Sequence, residues 1–228
     1  MVPRKKDENE KGYAYRVLKS GIMSLELKPG EALSETELAK KLNSSRTPIR
    51  EALSKLKEEY LIEVKPQIGT YVSLIDMNLV RQALFMRHCI EKEAMKLACS
   101  DFPEDSLIKL EQNLLSQKYV TGKQGSELEF HKLDEEFHRI IFAGLKLEEV
   151  WKSIQKISTH YIRLRVLSEM RFSNRQLYEE HEKIFNLIRN KDSKRIEESV
   201  TDHIKTPSEG YWDDLLKDDS EYKEYFKK

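Results

Sequence analysis

The stretch that most constrains this chain runs from Ser34 to Ile75 and reads SETELAKKLNSSRTPIREALSKLKEEYLIEVKPQIGTYVSLI. Ser34 with Glu37 three residues later is a capping box, and Leu38, Ala39 and Leu42 then form one apolar helical face that Asn43 ends. After the turn Asn43-Ser44-Ser45, either Ser45 or Thr47 can cap a second helix. Pro48 is tolerated in its first turn, where a missing N–H has no intrahelical partner to lose. Ile49, Ala52, Leu53 and Leu56 supply the buried stripe of that helix. Ser45, Arg46, Thr47 and Arg50 are left at its exposed N-terminal end, where they can offer donors to base edges and phosphates in a major groove. Two β-prone runs follow, Leu61 to Val64 and Thr70 to Leu74, joined by Lys65-Pro66-Gln67-Ile68-Gly69. This spacing predicts a hairpin wing with Gly69 at its tip.

RTPIREAL followed by LIEVKPQIGTYV resembles the winged helix-turn-helix of the GntR superfamily of bacterial transcription regulators. The resemblance implies that double-stranded operator DNA is the partner of this segment. Charge supports it only modestly. The whole chain carries 40 Lys+Arg against 40 Asp+Glu, and residues 1–75 hold 14 against 11. A basic excess of that size does not establish nucleic-acid binding without the motif.

At 228 residues the chain is long enough for one large or two ordinary domains, so something else fills the part after the wing. Residues 1–10 are expected to be disordered, and Tyr13 to Leu27 reads as the support helix of a winged domain spanning residues 11–75. Asp76 reads as the N-cap of the next helix, which leaves almost no linker. Events in residues 76–228 can therefore reach the DNA-reading head. From there the pattern is helical, over roughly 77–100, 104–121, 127–144, 147–169, 174–189 and 193–217, with a further break expected at Arg171 to Asn174. The expected fold is mainly α: a winged helix-turn-helix followed by an antiparallel bundle of about six helices. No long apolar run or signal peptide is present, so a cytoplasmic protein without a membrane partner is expected. Cys89 and Cys99, ten residues apart on one helix, are too far apart to pair and read as buried free thiols.

Chemistry in the bundle concentrates on four residues. Asp134 and His138 lie one helical turn apart and can reach one metal ion. His181 and His203 sit beside apolar faces of two later helices. One carboxylate and three imidazoles suit a divalent transition metal with positions left open, zinc first and nickel, manganese or iron also suitable. A buried histidine is nonetheless more often a hydrogen-bonded core residue than a ligand. DEEFH followed by EEHEKIFNLIRNKDSKRIEESVTDHI resembles the effector domain of the FadR subfamily, in the branch with one Asp and three His ligands, which maps those roles onto the same four residues. The resemblance departs at Gly144-Leu145-Lys146, where the family often has Asn. It also covers Arg87 and Glu91, similar to an R-x-x-x-E on the first bundle helix. Arg87, with Arg163 or Arg165, is expected to hold the far end of a small carboxylate effector. His131 reads as a surface group or a group behind the ligands, and His88 and His160 carry no assigned role. The resulting expectation is a homodimeric, ligand-responsive transcription regulator, a repressor in the first instance. The alternatives are a metal-dependent hydrolase tethered to DNA and a DNA-binding protein whose bundle only dimerises.

Overall fold

A computed structural model of the chain describes residues 3–123, 125–169, 174–205, 211–217 and 219–227. The expected break at 171–174 falls largely on residues 171–173, outside the described residues. The head begins with α1 (Glu10–Met23), capped by Asn9, whose side chain accepts from the Gly12 amide. This helix starts earlier than the Tyr13–Leu27 reading because Asn9 caps it, and ends earlier because Leu25 adopts a left-handed φ of 62° and the chain turns before Lys28-Pro29-Gly30. Ahead of it, Glu8 and Pro3 contact the helix: Arg16 binds Glu8 through two nitrogens and the Pro3 carbonyl through a third contact.

After the short strand β1 (Ala32–Leu33) come α2 (Glu35–Lys41) and α3 (Arg46–Glu58). The Ser34 hydroxyl accepts from the Glu37 amide, and Asn43 takes a left-handed φ of 48° in the turn between the helices. Ser45 is the N-cap of α3. The wing strands β2 (Ile62–Lys65) and β3 (Gly69–Val72) pair antiparallel, with Ile62 opposite Val72 and Lys65 opposite Gly69. β1 adds to the free edge of β3, giving the order β1-β3-β2. That third strand is too short to show as an alternating pattern in sequence. Leu18, Ile22, Leu38, Ile49, Leu53, Leu56, Leu61 and Val72 form the core of the head.

The bundle consists of α4 (Met77–Ser100), α5 (Glu104–Val120), α6 (Glu127–Gly144), α7 (Glu148–Ile157), α8 (Thr159–Glu169), α9 (Arg175–Arg189), α10 (Ile196–Lys205) and α11 (Tyr211–Leu216). Asp76 caps α4 by accepting from the Asn78 amide. The single helix read over 147–169 is two, α7 and α8. Ser158 closes α7 on the Ile154 carbonyl and then accepts from Ile162 to open α8, a break without the Gly or Pro that would announce it. The segment 193–217 likewise holds α10 and α11, with residues 206–210 outside the described residues. Gly144 at the end of α6 has a packing reason, since a Cβ there would lie 2.5 Å from the Phe102 ring and 2.9 Å from the Ser106 hydroxyl oxygen. Met95, Leu110, Phe137, Ile141, Ile184, Phe185 and Val200 fill the bundle core. Cys99 is buried there, whereas Cys89 is exposed on α4, contrary to the reading of both thiols as buried.

A third cluster joins head to bundle. Leu25 from the head, Ile75 from the connection, Tyr161 and Leu164 of α8, Trp212 and Leu215 of α11, and Phe226 pack together. Phe226 follows a 3-10 turn (Lys223–Tyr225) and bridges to Ile75.

Candidate metal centre and DNA-reading face

Three helices converge on one buried point. α6 brings Asp134 and His138, α9 brings His181 and α10 brings His203, and one ligating atom from each lies within 4.8 Å of all the others. Phe137 on α6 and Ile184 on α9 pull these faces inward, so the polar residues beside them are carried into the core. Such groups are tolerated only when every donor and acceptor is placed.

The Nδ1 atom of each imidazole is engaged from behind. His138 Nδ1 is 2.9 Å from Glu91 Oε2, His181 Nδ1 is 2.8 Å from Gln117 Oε1, and His203 Nδ1 is 3.0 Å from Glu180 Oε2. Each of these partners offers an acceptor oxygen, which favours the tautomer with the proton on Nδ1 and a lone pair on Nε2; at His181 and His203 the contact has hydrogen-bond geometry, and at His138 it is a close approach to the Glu91 carboxylate. The assignment at His181 is fixed by a relay: Gln117 Nε2 donates to Asn113 Oδ1, and Asn113 Nδ2 donates to the Leu133 carbonyl. Gln117 must therefore turn its oxygen to the imidazole. The Nε2 atoms point together, those of His138 and His203 lying 3.3 Å apart, while His181 Nε2 is buried without a hydrogen bond, 3.4 Å from Asp134 Oδ1. Three bare nitrogens and a carboxylate facing one point repel unless a cation lies between them, and this donor set fits a divalent transition metal.

The electrostatics agree. Burial alone would raise the Asp134 carboxyl, but the Arg165 guanidinium holds it well below the usual carboxylate range. Arg165 grips Asp134 with Nη1 to Oδ2 at 2.7 Å and Nη2 to Oδ1 at 3.0 Å. Burial pushes the His181 imidazole well below its ordinary value, with His203 adding to the effect, and burial likewise lowers His203. Both are kept neutral, the form that ligates.

In the head, the N-terminal end of α3 is open to solvent. The Arg46 and Arg50 side chains are 58% and 60% exposed, enough to reach a groove. Both bind one carboxylate: Glu35 Oε2 accepts from Arg46 at 3.2 Å and from Arg50 at 2.7 Å. Ser45 makes no side-chain capping bond, which leaves its hydroxyl beside Arg46 and Thr47 on the same end. Gly69 sits in the wing with φ of 155°, a conformation L residues rarely adopt.

A match to the FCD domain spans residues 82–206, and a match to the bacterial regulatory proteins of the gntR family spans residues 11–72. The chain belongs to the GntR family and carries an FCD domain. It is 33% identical over 196 residues to the HTH-type transcriptional repressor RspR of Escherichia coli K12, covering 86% of each chain. It is 31% identical to the Nta operon transcriptional regulator of Aminobacter aminovorans, covering 80% of this chain and 85% of the relative. The solved structure of E. coli McbR/YncC shares the fold, with a TM-score of 0.74 at 19% identity over 90% of this chain and 95% of that one. This GntR-family protein is a transcription regulator and not an enzyme. No described helix is long and apolar enough to cross a membrane.

In this regulator the four residues read from the sequence as a metal set are brought together. Of the three arginines read as effector contacts, Arg87 and Arg165 lie beside this set, each on a carboxylate that belongs to it or touches it, and Arg163 binds elsewhere. Arg87 pairs with Glu91 and lies 4.9 Å from the Tyr161 ring centroid, and Arg165, 5.9 Å from the same centroid, is committed to Asp134. Arg163 faces away from the centre altogether. Its Nη1 and Nη2 atoms donate to Ser73 of the head. Helical spacing could not decide between Arg163 and Arg165, because both are buried. His131 is buried beside the centre, 3.9 Å from Glu135, and burial together with Arg165 lowers it to about 4. His88 contacts Thr201 instead. Gln117, Glu180 and Glu35 were not legible as site residues. Each acts on a partner far along the chain, and only the motif-like spacing of Arg87 and Glu91 gave a signal for that pair.

Proposed function

We propose that this regulator represses transcription by binding a palindromic operator as a homodimer, and that a small carboxylate held at a divalent metal in the bundle changes its operator affinity. The observation that carries the reading is the convergence of the His138, His181 and His203 Nε2 atoms with Asp134, all buried and held from behind. When bound, a divalent metal supplies a Lewis-acidic centre with open positions that an anionic oxygen can fill. With the metal bound, the site holds a positive balance toward such an anion: Arg87 and Arg165 offset Glu91 and Asp134, and the two charges of the metal exceed the one on Glu180. Arg87 and Arg165 supply the field at the far end of the carboxylate while orienting the ligand shell.

Operator reading by Ser45, Arg46, Thr47 and Arg50, with Gly69 letting the wing approach the backbone, follows from their place on α3 and β3. Repression is favoured by the relative named as a repressor. A single head offers few base contacts, so two-fold pairing supplies specificity. The face for it on α4 carries Phe85, 73% exposed, beside Met86 and Ile90 and against Ile157 of α7.

The test is fluorescence anisotropy with a selected operator, using protein stripped by chelator, protein reloaded with zinc, and zinc-loaded protein with a panel of mono-, di- and hydroxycarboxylates. At least one carboxylate class is expected to shift operator affinity about fivefold or more, and only in the metal-loaded protein. A panel without effect on metal-loaded protein refutes the effector reading. A monomer in sedimentation equilibrium with and without operator refutes the dimer.

A further inference from the structure

α8 carries two arginines two positions apart that serve different halves of the molecule. Arg165 holds Asp134 at the metal centre. Arg163 donates from Nη1 to the Ser73 carbonyl at 2.7 Å and from Nη2 to the Ser73 hydroxyl at 3.0 Å, at the exit of the wing. The same turn of α8 holds the α3–β2 corner: the Thr159 hydroxyl donates to the Glu59 carbonyl at 3.0 Å, and His160 Nε2 donates to the Tyr60 carbonyl at 2.9 Å. His160 Nδ1 then accepts from the Asp76 amide at 2.9 Å and from Arg163 Nη2 at 3.1 Å. Ser73 closes the ring by donating its hydroxyl to the Tyr60 carbonyl at 2.6 Å. Arg163, Ser73, Tyr60 and His160 hold one another in a closed cycle, so the head cannot shift against α8 without breaking several bonds together.

Arg163 is fully buried, and no carboxylate lies within ion-pair distance of it among the described residues. Burial alone pulls its guanidinium down to about 9. An unpaired buried cation is costly, and a neutral side chain could fill the space. What it supplies here is a rigid fork of donors to the two oxygens of Ser73. From the other side, the Ile75 amide donates to the Tyr225 carbonyl at 2.7 Å, and the Lys227 amide donates to the Ile75 carbonyl at 2.9 Å. Phe226 fills the junction core between them. Neither the 73–76 connection nor the 223–227 segment lies within the matched family ranges, 11–72 and 82–206.

We propose that α8 is the coupling element that carries the state of the metal centre to the DNA-reading head. In this device Arg163 is the positioning residue, and residues 223–227 lock the connection so that the head follows α8. It rests on the metal reading given above and names how that site acts at a distance.

The test is hydrogen exchange on the full chain with and without stoichiometric Zn2+, for wild type, Arg163→Met, Ser73→Ala and Phe226→Ala. Zinc is expected to slow exchange in α6, α9 and α10 of all four proteins. It slows the Tyr60–Ser73 amides about fivefold or more in wild type, and that second effect is lost in Arg163→Met and Phe226→Ala and reduced in Ser73→Ala. Wild-type head amides that ignore zinc while the bundle responds overturn the coupling and leave the metal reading standing. A head response that survives in Arg163→Met and Phe226→Ala also overturns it. Should Arg163→Met not fold, the Ser73→Ala and Phe226→Ala responses decide in the same way. Wild type that binds no zinc removes the metal reading and this proposal with it.

Discussion

The Nε2 atoms of His138 and His203 face each other across 3.3 Å, each ring having turned its Nδ1 to a glutamate carboxylate behind it. Without a cation this is lone pair against lone pair in a buried site. With one, the same geometry is attractive. Zinc at about a hundredfold excess over its dissociation constant should therefore stabilise the fold by about 2.7 kcal/mol and raise the melting temperature by about 5–10 °C. His181→Ala should bind little metal and lose most of that rise. Elemental analysis with paired melts in zinc and in chelator checks it, and identical wild-type melts in both would sink the proposal.

Gln117 matters because its amide direction is dictated by Asn113, which leaves its oxygen for His181 Nδ1. Gln117→Leu should leave that N–H unpaired and weaken metal binding about 10–100-fold, while Gln117→Glu, which keeps an acceptor, should recover most of the loss. Calorimetric zinc titration separates the two variants. Equal affinity in wild type and Gln117→Leu would show that the relay orients nothing.

Asp134 and His138 were legible in the sequence because one helical turn fixes their relation, and the capping box at Ser34 and the stripe from Ile49 to Leu56 located the head for the same reason. Local periodicity reports which residues share a face, but not what that face meets. Arg163 and Arg165 show the limit, since both are buried on one helix and their opposite partners, Ser73 and Asp134, are set by packing across the chain. Ser158 shows another, because a helix break made by backbone bonding alone leaves no residue signature. The Ile75–Phe226 pairing joins residues about 150 positions apart and could not be read from either segment.

Arg50 and Arg46 share the Glu35 carboxylate, so both guanidinium groups are held at the mouth of α3 before DNA arrives. Arg50→Ala should weaken binding to a selected operator by roughly 1–3 kcal/mol. Glu35→Gln should free both arginines, tightening binding to unrelated DNA and lowering the ratio of specific to non-specific affinity. Anisotropy titrations on operator and scrambled duplexes measure both. Unchanged operator affinity in Arg50→Ala would mean that α3 is not the reading helix.

His160 makes the head–bundle junction acid-sensitive. Burial, with the Arg163 charge beside it, lowers its imidazole to about 3; the Tyr60 carbonyl and Asp76 pull the other way, and Lys227 adds a smaller lowering effect. The folded pKa lies below the ordinary value of about 6.5, so as pH falls the unfolded chain takes up a proton that the folded one refuses. The stability tied to neutral His160 is present above about pH 6.5 and is lost progressively down to about pH 3. By pH 5 the loss is on the order of 2 kcal/mol. His181 and His203 titrate in the same direction, so a falling curve alone does not isolate the junction. His160→Gln does, because an amide can still donate to the Tyr60 carbonyl but does not titrate. Urea unfolding in chelator at pH 7 and pH 5 should give the variant a smaller loss than wild type, by about 2 kcal/mol. Equal losses in the two proteins would show that His160 does not set the acid response of the junction.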